Sequence, residues 1–389
     1  MIYLDNAATT KISDEVLDSM MPYLTQDFGN AGSLHRLGRD AAEAIAKARG
    51  QVAAVFSCEP RQVIFTSGGT ESNNLVFAGS AVRREHMGKP RLGCSNIEHD
   101  SVYRNVIKPG IDNPYIMSPS KNGSVEVPLK PLPNDVGLLS VMFVNNETGL
   151  TNNIRHLSEW AHQSGALFHS DCVQATGLHD LNAKSLGDCD FMSISGHKIH
   201  APKGIGALYV KEPDLFVPMI RGGHHQEFGL RGGTENVASI VGFGKACEIM
   251  LRDRVGLSNL LTMNKNRLVS AITIGLRNKG LRNIMRVNGG TSRYPSKTVS
   301  IYFEGVDAET LVLALDGKDI YISASSACRS HEAVPSRTLM SMGLTKEEAR
   351  SSVRFSVSED LTEGDIIKAA RTIVDTVEML HNVYNQSKR

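Results

Sequence analysis

Short apolar runs alternate with helical patterns through most of the chain. Residues 62–66 (Gln-Val-Ile-Phe-Thr) combine β-branched and aromatic side chains, which predicts a strand, and a glycine turn and a helix from Glu71 follow. Residues 138–144 form a longer buried-strand run. Residues 157–165 then carry helical spacing, with Gly165 as the stop signal. Further strands are predicted at 166–170, 189–194 and 206–210. This alternation predicts a mainly parallel sheet with helices on both faces. A charged helical stretch at 252–279 leads into a second pattern: a strand at 296–303, a helix at 307–315 and a final helix at 362–384. The expected organisation is a large domain over 15–256, and a smaller α+β domain made of 1–14 and 257–389.

Composition narrows the classes without choosing one. The 389 residues are 41% hydrophobic and 21% charged, and 42 basic side chains nearly cancel 41 acidic ones. A general polyanion-binding surface is therefore not expected, nor direct nucleic-acid binding. No apolar run approaches the roughly 18–20 residues that span a bilayer. The first residues lack the pattern of a secretory signal, so a cytoplasmic protein is expected. Cysteines at 58, 94, 172, 189, 247 and 328 are scattered, without the close spacing of a metal site or a disulfide framework. Most are expected to be reduced core residues, and no metal is expected.

Several polar groups follow the predicted strands. In Thr66-Ser67-Gly68-Gly69-Thr70-Glu71, two glycines let backbone approach an anion where a helix begins, which suits a phosphate. Ser195-Gly196-His197-Lys198 puts a lysine just past a buried strand, where lost solvation favours Schiff-base chemistry. Asp171, with Gln174 after it, can pair the ring nitrogen of a cofactor such as pyridoxal phosphate. His99 can stack on such a ring and relay protons, and Asn146 can bind polar atoms. Each feature alone has an ordinary explanation, as a cap, a loop lysine or an Asn-rich turn. Their common position at strand ends, where open α/β sheets bind ligands, makes the joint pattern much stronger.

The segments Leu4-Asp-Asn-Ala-Ala-Thr-Thr10, Thr66-Ser-Gly-Gly-Thr-Glu-Ser-Asn73, Glu98-His99, Asn145-Asn-Glu-Thr-Gly149 and Asp171-Cys-Val-Gln174 carry a family resemblance. Ser195-Gly-His-Lys198, Arg231-Gly-Gly-Thr-Glu-Asn236, Ser325-Ser-Ala-Cys328 and Val353-Arg-Phe-Ser356 continue it over nearly the whole chain. The chain resembles the NifS/IscS-like, class I cysteine desulfurases. The resemblance implies a fold-type-I α/β transferase that uses pyridoxal 5′-phosphate and works as a homodimer on L-cysteine. Lys198 would bond the cofactor, His99 would stack on its ring, and Asp171 would pair the ring nitrogen. Gln174 and Asn146 would contact polar atoms of the cofactor. Gly69, Thr70, Ser195 and His197 would hold the phosphate, with Thr234 arriving from the neighbouring subunit. Asn146 would also meet the substrate, whose carboxylate Arg354 would clamp.

Cys328 lies in a stretch of small polar residues with little apolar periodicity, so a mobile loop is expected and packing does not explain the thiol. Arg329 and His331 can favour its thiolate. The implied reaction leaves sulfur on Cys328 as a persulfide and releases L-alanine. An acceptor protein would then collect the sulfur for iron–sulfur assembly, tRNA thiolation or DNA phosphorothioation. The sequence departs from the family pattern after Cys328 (Arg-Ser-His-Glu), at Gly222-Gly-His-His-Gln-Glu227 and after Phe355 (Ser-Val-Ser-Glu-Asp). The competing readings are a selenocysteine lyase, an aminotransferase, which has no need of Cys328, and a catalytically silent dimeric scaffold.

Overall fold

Strands too short to be told from helical segments by apolar content alone build the centre of the molecule. The computed structural model describes residues 1–110, 113–223, 225–290, 294–324 and 335–387. After a two-residue strand β1 (Ile2–Tyr3), the chain forms β2 (Val63–Thr66), β3 (Arg91–Ser95), β4 (Tyr115–Met117), β5 (Val136–Ser140), β6 (Leu167–Asp171), β7 (Phe191–Ser195) and β8 (Gly206–Val210). The last seven make one sheet in the order β2-β8-β7-β6-β5-β3-β4, in which only β8 runs antiparallel to its neighbours. Side chains alternate between its faces: Val63, Phe65, Leu139 and Phe168 join one apolar cluster, whereas Ile64, Leu138, Leu167 and Phe191 join another. Both faces are covered, which explains the near-continuous apolar runs.

The remaining strands are β9 (Met285–Val287), β10 (Thr298–Phe303), β11 (Ile320–Tyr321), β12 (Ser323–Ala324) and β13 (Ser352–Ser356). They give an antiparallel sheet in the order β12-β13-β10-β9, together with a parallel pair in which Ile2 lies opposite Ile320. The final helix, Glu363–Ser387, packs Ile366, Ala369, Ile373 and Val377 into this smaller core. This is the fold-type-I architecture expected from the sequence, a large mixed sheet beside a smaller α+β unit. Among the described residues no helix is long and apolar enough to cross a membrane.

Two elements differ from the sequence reading. The run 138–144 leaves the sheet after Ser140, although Val141 N and Phe143 N still donate to His169 O and Asp171 O at 3.0 and 2.9 Å. The charged stretch at 252–279 is the second half of one 42-residue helix, Val237–Asn278. Its first half buries Ile240, Phe243, Cys247 and Met250 against the large sheet, and its second half buries Leu261, Leu268, Ile272 and Leu276 in the smaller core. Glycines at 242 and 244 mask the helical pattern there because close packing needs them. A Cβ on Gly244 would lie 2.7 Å from Cα and Cβ of Ala48, on the neighbouring helix Arg36–Phe56. Gly244→Leu is therefore expected to cost about 1–3 kcal/mol of stability. Urea unfolding monitored by circular dichroism would show this as a lower midpoint, and an unchanged midpoint would mean the two helices have room to spare.

Candidate active site

The ends of β2, β3, β5, β6 and β7 lie along one edge of the sheet, and each carries a polar turn into the same region. After β2 the chain turns at Gly68, with φ +146°, into the helix Gly69–Gly79, which has no side-chain cap at its N-terminus. A Cβ on Gly69 would lie 2.6 Å from Val173 Cγ2, so this approach admits only glycine. Ser195, fully buried at the end of β7, lies beside the same turn: its Oγ is 3.6 Å from where a Gly68 Cβ would be. Free helix N–H groups, a hydroxyl and a positive dipole end make an anion cup. Thr70 is exposed at its rim. His197 follows in the single 3₁₀ turn Gly196–Lys198, its Nδ1 3.2 Å from Thr9 Oγ1. Burial, then the charges of Lys198, Lys203 and Lys297, push His197 down to about 4, so it is neutral near pH 7.

Lys198 donates from Nζ to the carbonyl oxygens of Ala7 and Ala8 at 2.6 and 2.7 Å. Two acceptors match the two hydrogens of a neutral amine. Burial, reinforced by the charges of Lys297 and Arg354, pushes this lysine down to about 7, against the opposing pull of Asp5 and Asp171. Gln174, buried nearby, donates to the same Ala7 oxygen at 2.9 Å.

Asp171 ends β6 and accepts from Asn73 Nδ2 at 2.8 Å and from Val173 N at 3.0 Å. Asn73 Nδ2 also donates to Ser101 Oγ at 2.8 Å, and Ser101 Oγ lies 2.7 Å from His99 Nδ1. Ser101 N donates to that same ring nitrogen at 3.1 Å. With Nδ1 accepting, a neutral His99 carries its proton on Nε2. A hydrogen-bonded chain thus joins the carboxylate to the exposed histidine. Neither Asn73 nor Ser101 was assigned this task from the sequence, although Asn73 stands in a quoted motif. Glu98 was also missed. Fully buried, it accepts from Met142 N at 2.9 Å and from Ser95 Oγ, and burial lifts it to about 8.

Arg354, on β13, donates to Asn146 O at 3.1 Å and to Asp5 Oδ1 at 2.7 Å. Its Nε and the Asn73 Oδ1 are buried with no hydrogen-bond partner among the described residues. Asn146 is half-buried in a turn fastened by Asn145, whose side chain accepts from Glu147 N and Thr148 N. Thr234 is exposed and forms no hydrogen bond with the other cup residues among those described. Cys328 lies within 325–334, outside the described residues, as do Arg329 and His331.

Residues 2–368 match the family Aminotransferase class-V. A cysteine desulfurase of Trichormus azollae is 37% identical over 385 residues, covering 98% of this chain and 94% of that protein. A solved NifS-like protein shares the fold with a TM-score of 0.85 and 29% identity, over 97% of this chain and 99% of that one. The structure described as SspA in complex with cysteine gives a TM-score of 0.76 at 31% identity, over 92% of this chain and 99% of its own. The chain belongs to the NifS/IscS-like cysteine desulfurase family.

The cofactor of this family is pyridoxal 5′-phosphate, and the desulfurase site fits it on its own geometry. The uncapped helix end with Gly69 and Ser195 suits the phosphate, the buried Asp171 carboxylate suits a pyridinium nitrogen, and the Lys198 amine suits the aldehyde. The orphaned Arg354 Nε–H offers a donor for a substrate carboxylate. Asn73→Ala would remove a hydrogen bond to a buried carboxylate, worth about 1.5–3 kcal/mol. Alanine formation from L-cysteine is expected to fall roughly 10- to 150-fold in kcat/KM. Equal kinetics would show that Asp171 does not depend on this donor.

Proposed function

We propose that this desulfurase transfers the sulfur of L-cysteine to Cys328, with Lys198 bonding the cofactor and moving the protons. Cysteine desulfurase activity, giving L-alanine and a persulfide, is that of its family. The observation that carries the assignment of Cys328 is the state of the other thiols. Cys94, Cys172, Cys189 and Cys247 are buried and Cys58 is half-buried. Burial pushes Cys58 and Cys189 up to about 12 and raises the other three as well. Only a thiolate attacks sulfur effectively, so these five are poor candidates and the sixth remains.

The chain on either side of Cys328 supports the reading. Ser323, five residues before it, pairs opposite Arg354 in the sheet. Beyond it, the Ser336 hydroxyl donates to the half-buried Glu147 carboxylate, and Arg337 donates to Asn96 O and Glu98 O at 3.0 and 2.7 Å. Both flanks are therefore fixed beside the substrate and His99 turns.

When bound, pyridoxal 5′-phosphate supplies an electron sink for the substrate's α-carbon. Arg354 forks the substrate carboxylate, and Asn146 lies beside it. Lys198 would hold the aldehyde of the cofactor, and its neutral amine, once free, would take the substrate's α-proton and later return it to the α-carbon. The Cys328 thiolate attacks the substrate sulfur: an S–S bond forms as the C–S bond breaks. The carbon keeps that electron pair and takes up a proton to become the alanine methyl. Sulfur then leaves Cys328 by attack of an acceptor protein's thiolate, and trapping a mixed disulfide with Cys328 would identify that protein.

Cys328→Ala is expected to retain the cofactor yet form neither alanine nor sulfide from L-cysteine under reducing conditions, whereas Lys198→Ala is expected to lose the bound cofactor's absorption and all turnover. A Cys328→Ala protein as active as wild type would replace this reading with direct lysis. Turnover of selenocysteine alone would favour a selenocysteine lyase.

A homodimer belongs to the same reading, and the exposure of both Thr70 and Thr234 supports it. Phe28, Leu34 and Phe228 are exposed as well, on two loops that meet where Gly32 faces His225. If Thr234 completes the cup of the partner, mixing Lys198→Ala with a Thr234→Ala variant of weakened cofactor binding is expected to restore sites with both groups intact. Tight cofactor binding should recover after subunit exchange. No recovery despite proven exchange would place Thr234 in its own subunit's site.

A further inference from the structure

Lys297 precedes β10 and is 7% exposed. A buried ammonium is costly unless a carboxylate or several acceptors surround it. Among the described residues the Lys297 ammonium forms no ion pair within 4 Å, and its one hydrogen bond goes from Nζ to the backbone carbonyl of Lys198 at 3.3 Å. The acid that acts on it, Glu359, is already held by His200 Nε2 at 2.9 Å, and His200 Nδ1 lies 2.9 Å from Lys11 O. Lys198, His200, Lys297 and Glu359 line one cavity of about 410 Å³. Two of these groups follow β7, and two come from the chain flanking β10 and β13.

We propose that Lys297 is a positioning residue for Lys198: it clamps the Lys198 carbonyl, and its positive charge favours the neutral, nucleophilic amine on that side chain. The proposal rests on Lys198 being the lysine that bonds the cofactor. Lys11, Asp14, Asp253 and Asp360 also line the cavity, and the charges acting most on the pair come from nearer groups. Lys297 and Arg354 disfavour a proton on Lys198, while Asp5 and Asp171 favour one. Glu359 favours the proton on Lys297, and both His197 and His200 feel the charge of Lys297. Burial is the larger cause for both lysines, pushing Lys198 to about 7 and Lys297 to about 8. Lys297, at about 8, therefore still carries most of its charge while Lys198 titrates at about 7.

The test uses cofactor uptake by the apoenzyme. Only the neutral amine condenses with an aldehyde, so uptake by wild type should rise with pH through about 7. In Lys297→Met the neighbouring charge is gone and Lys198 holds its proton longer. The midpoint should move up by about one pH unit or more, which is roughly fivefold or more slower uptake at pH 7. Lys297→Arg, which keeps the charge, should stay near wild type. Borohydride reduction of the holoenzyme followed by peptide mapping separates the two claims. Label on another lysine overturns the Lys198 reading itself. Label on Lys198 with an unshifted midpoint in a folded Lys297→Met protein overturns only the role of Lys297. Should that variant fail to fold, ¹³C-methylated wild-type apoenzyme decides: each lysine's signal should inflect at the other's titration, and independent single-step curves overturn the proposal.

Discussion

The strap formed by residues Asp5 to Thr10 is the constraint on which the site depends. Its carbonyls at Ala7 and Ala8 hold the Lys198 amine, and Ala7 also accepts from Gln174. Thr10 N donates to His197 O, so the strap also fixes the turn after β7. Toward the smaller core, Ala7 N donates to Ser356 Oγ, Asn6 Nδ2 to Ser356 O, and Asp5 accepts from Arg354. One short segment thus sets the distance between the amine on one sheet and the guanidinium on the other. Neither side chain could be placed to within an ångström of the same substrate by its own loop alone.

Around that strap, burial works against charge at nearly every group. It lowers Lys198 and Lys297 and raises Glu98, leaving three groups whose protons can move near neutrality, while it holds His197 neutral there. Asp171, also buried, accepts two hydrogen bonds. The same carboxylate is tied through Asn73 and Ser101 to His99, so the group that pairs a ring nitrogen and the group that stacks on a ring are parts of one network. Such networks are strong when every member is satisfied. In this network Asn73 Oδ1 is left without a partner among the described residues, as are Arg354 Nε and Glu98 Oε2 nearby.

What the sequence made legible was local. Gly68, Gly69, Asp171, Ser195 and Lys198 stand at strand ends, and an apolar run followed by an unusual turn is readable without a fold. Contacts between distant segments were not readable: Asn73 meets Asp171 across 98 residues, Lys297 meets Lys198 across 99, and Asp5 meets Arg354 across 349. Nothing in local periodicity marks such pairs, because they depend on which strands become neighbours. The long helix was half legible for a related reason. Its amphipathic second half shows the usual charged face, whereas its first half is packed so closely, with glycine against Ala48, that the helical signal is lost.

The pairing of Ile2 with Ile320 has a consequence in time. A ribosome must add some three hundred residues between the two partners, which takes roughly 15–60 s at ordinary rates of synthesis. Until then the strap has no strand to lie against, and the amine-bearing turn, though already made, has nothing to seat it. The large sheet can assemble early as a nascent scaffold. The centre is completed only after the strands that carry Ile320 and Arg354 have been made, long after the turn that bears the amine.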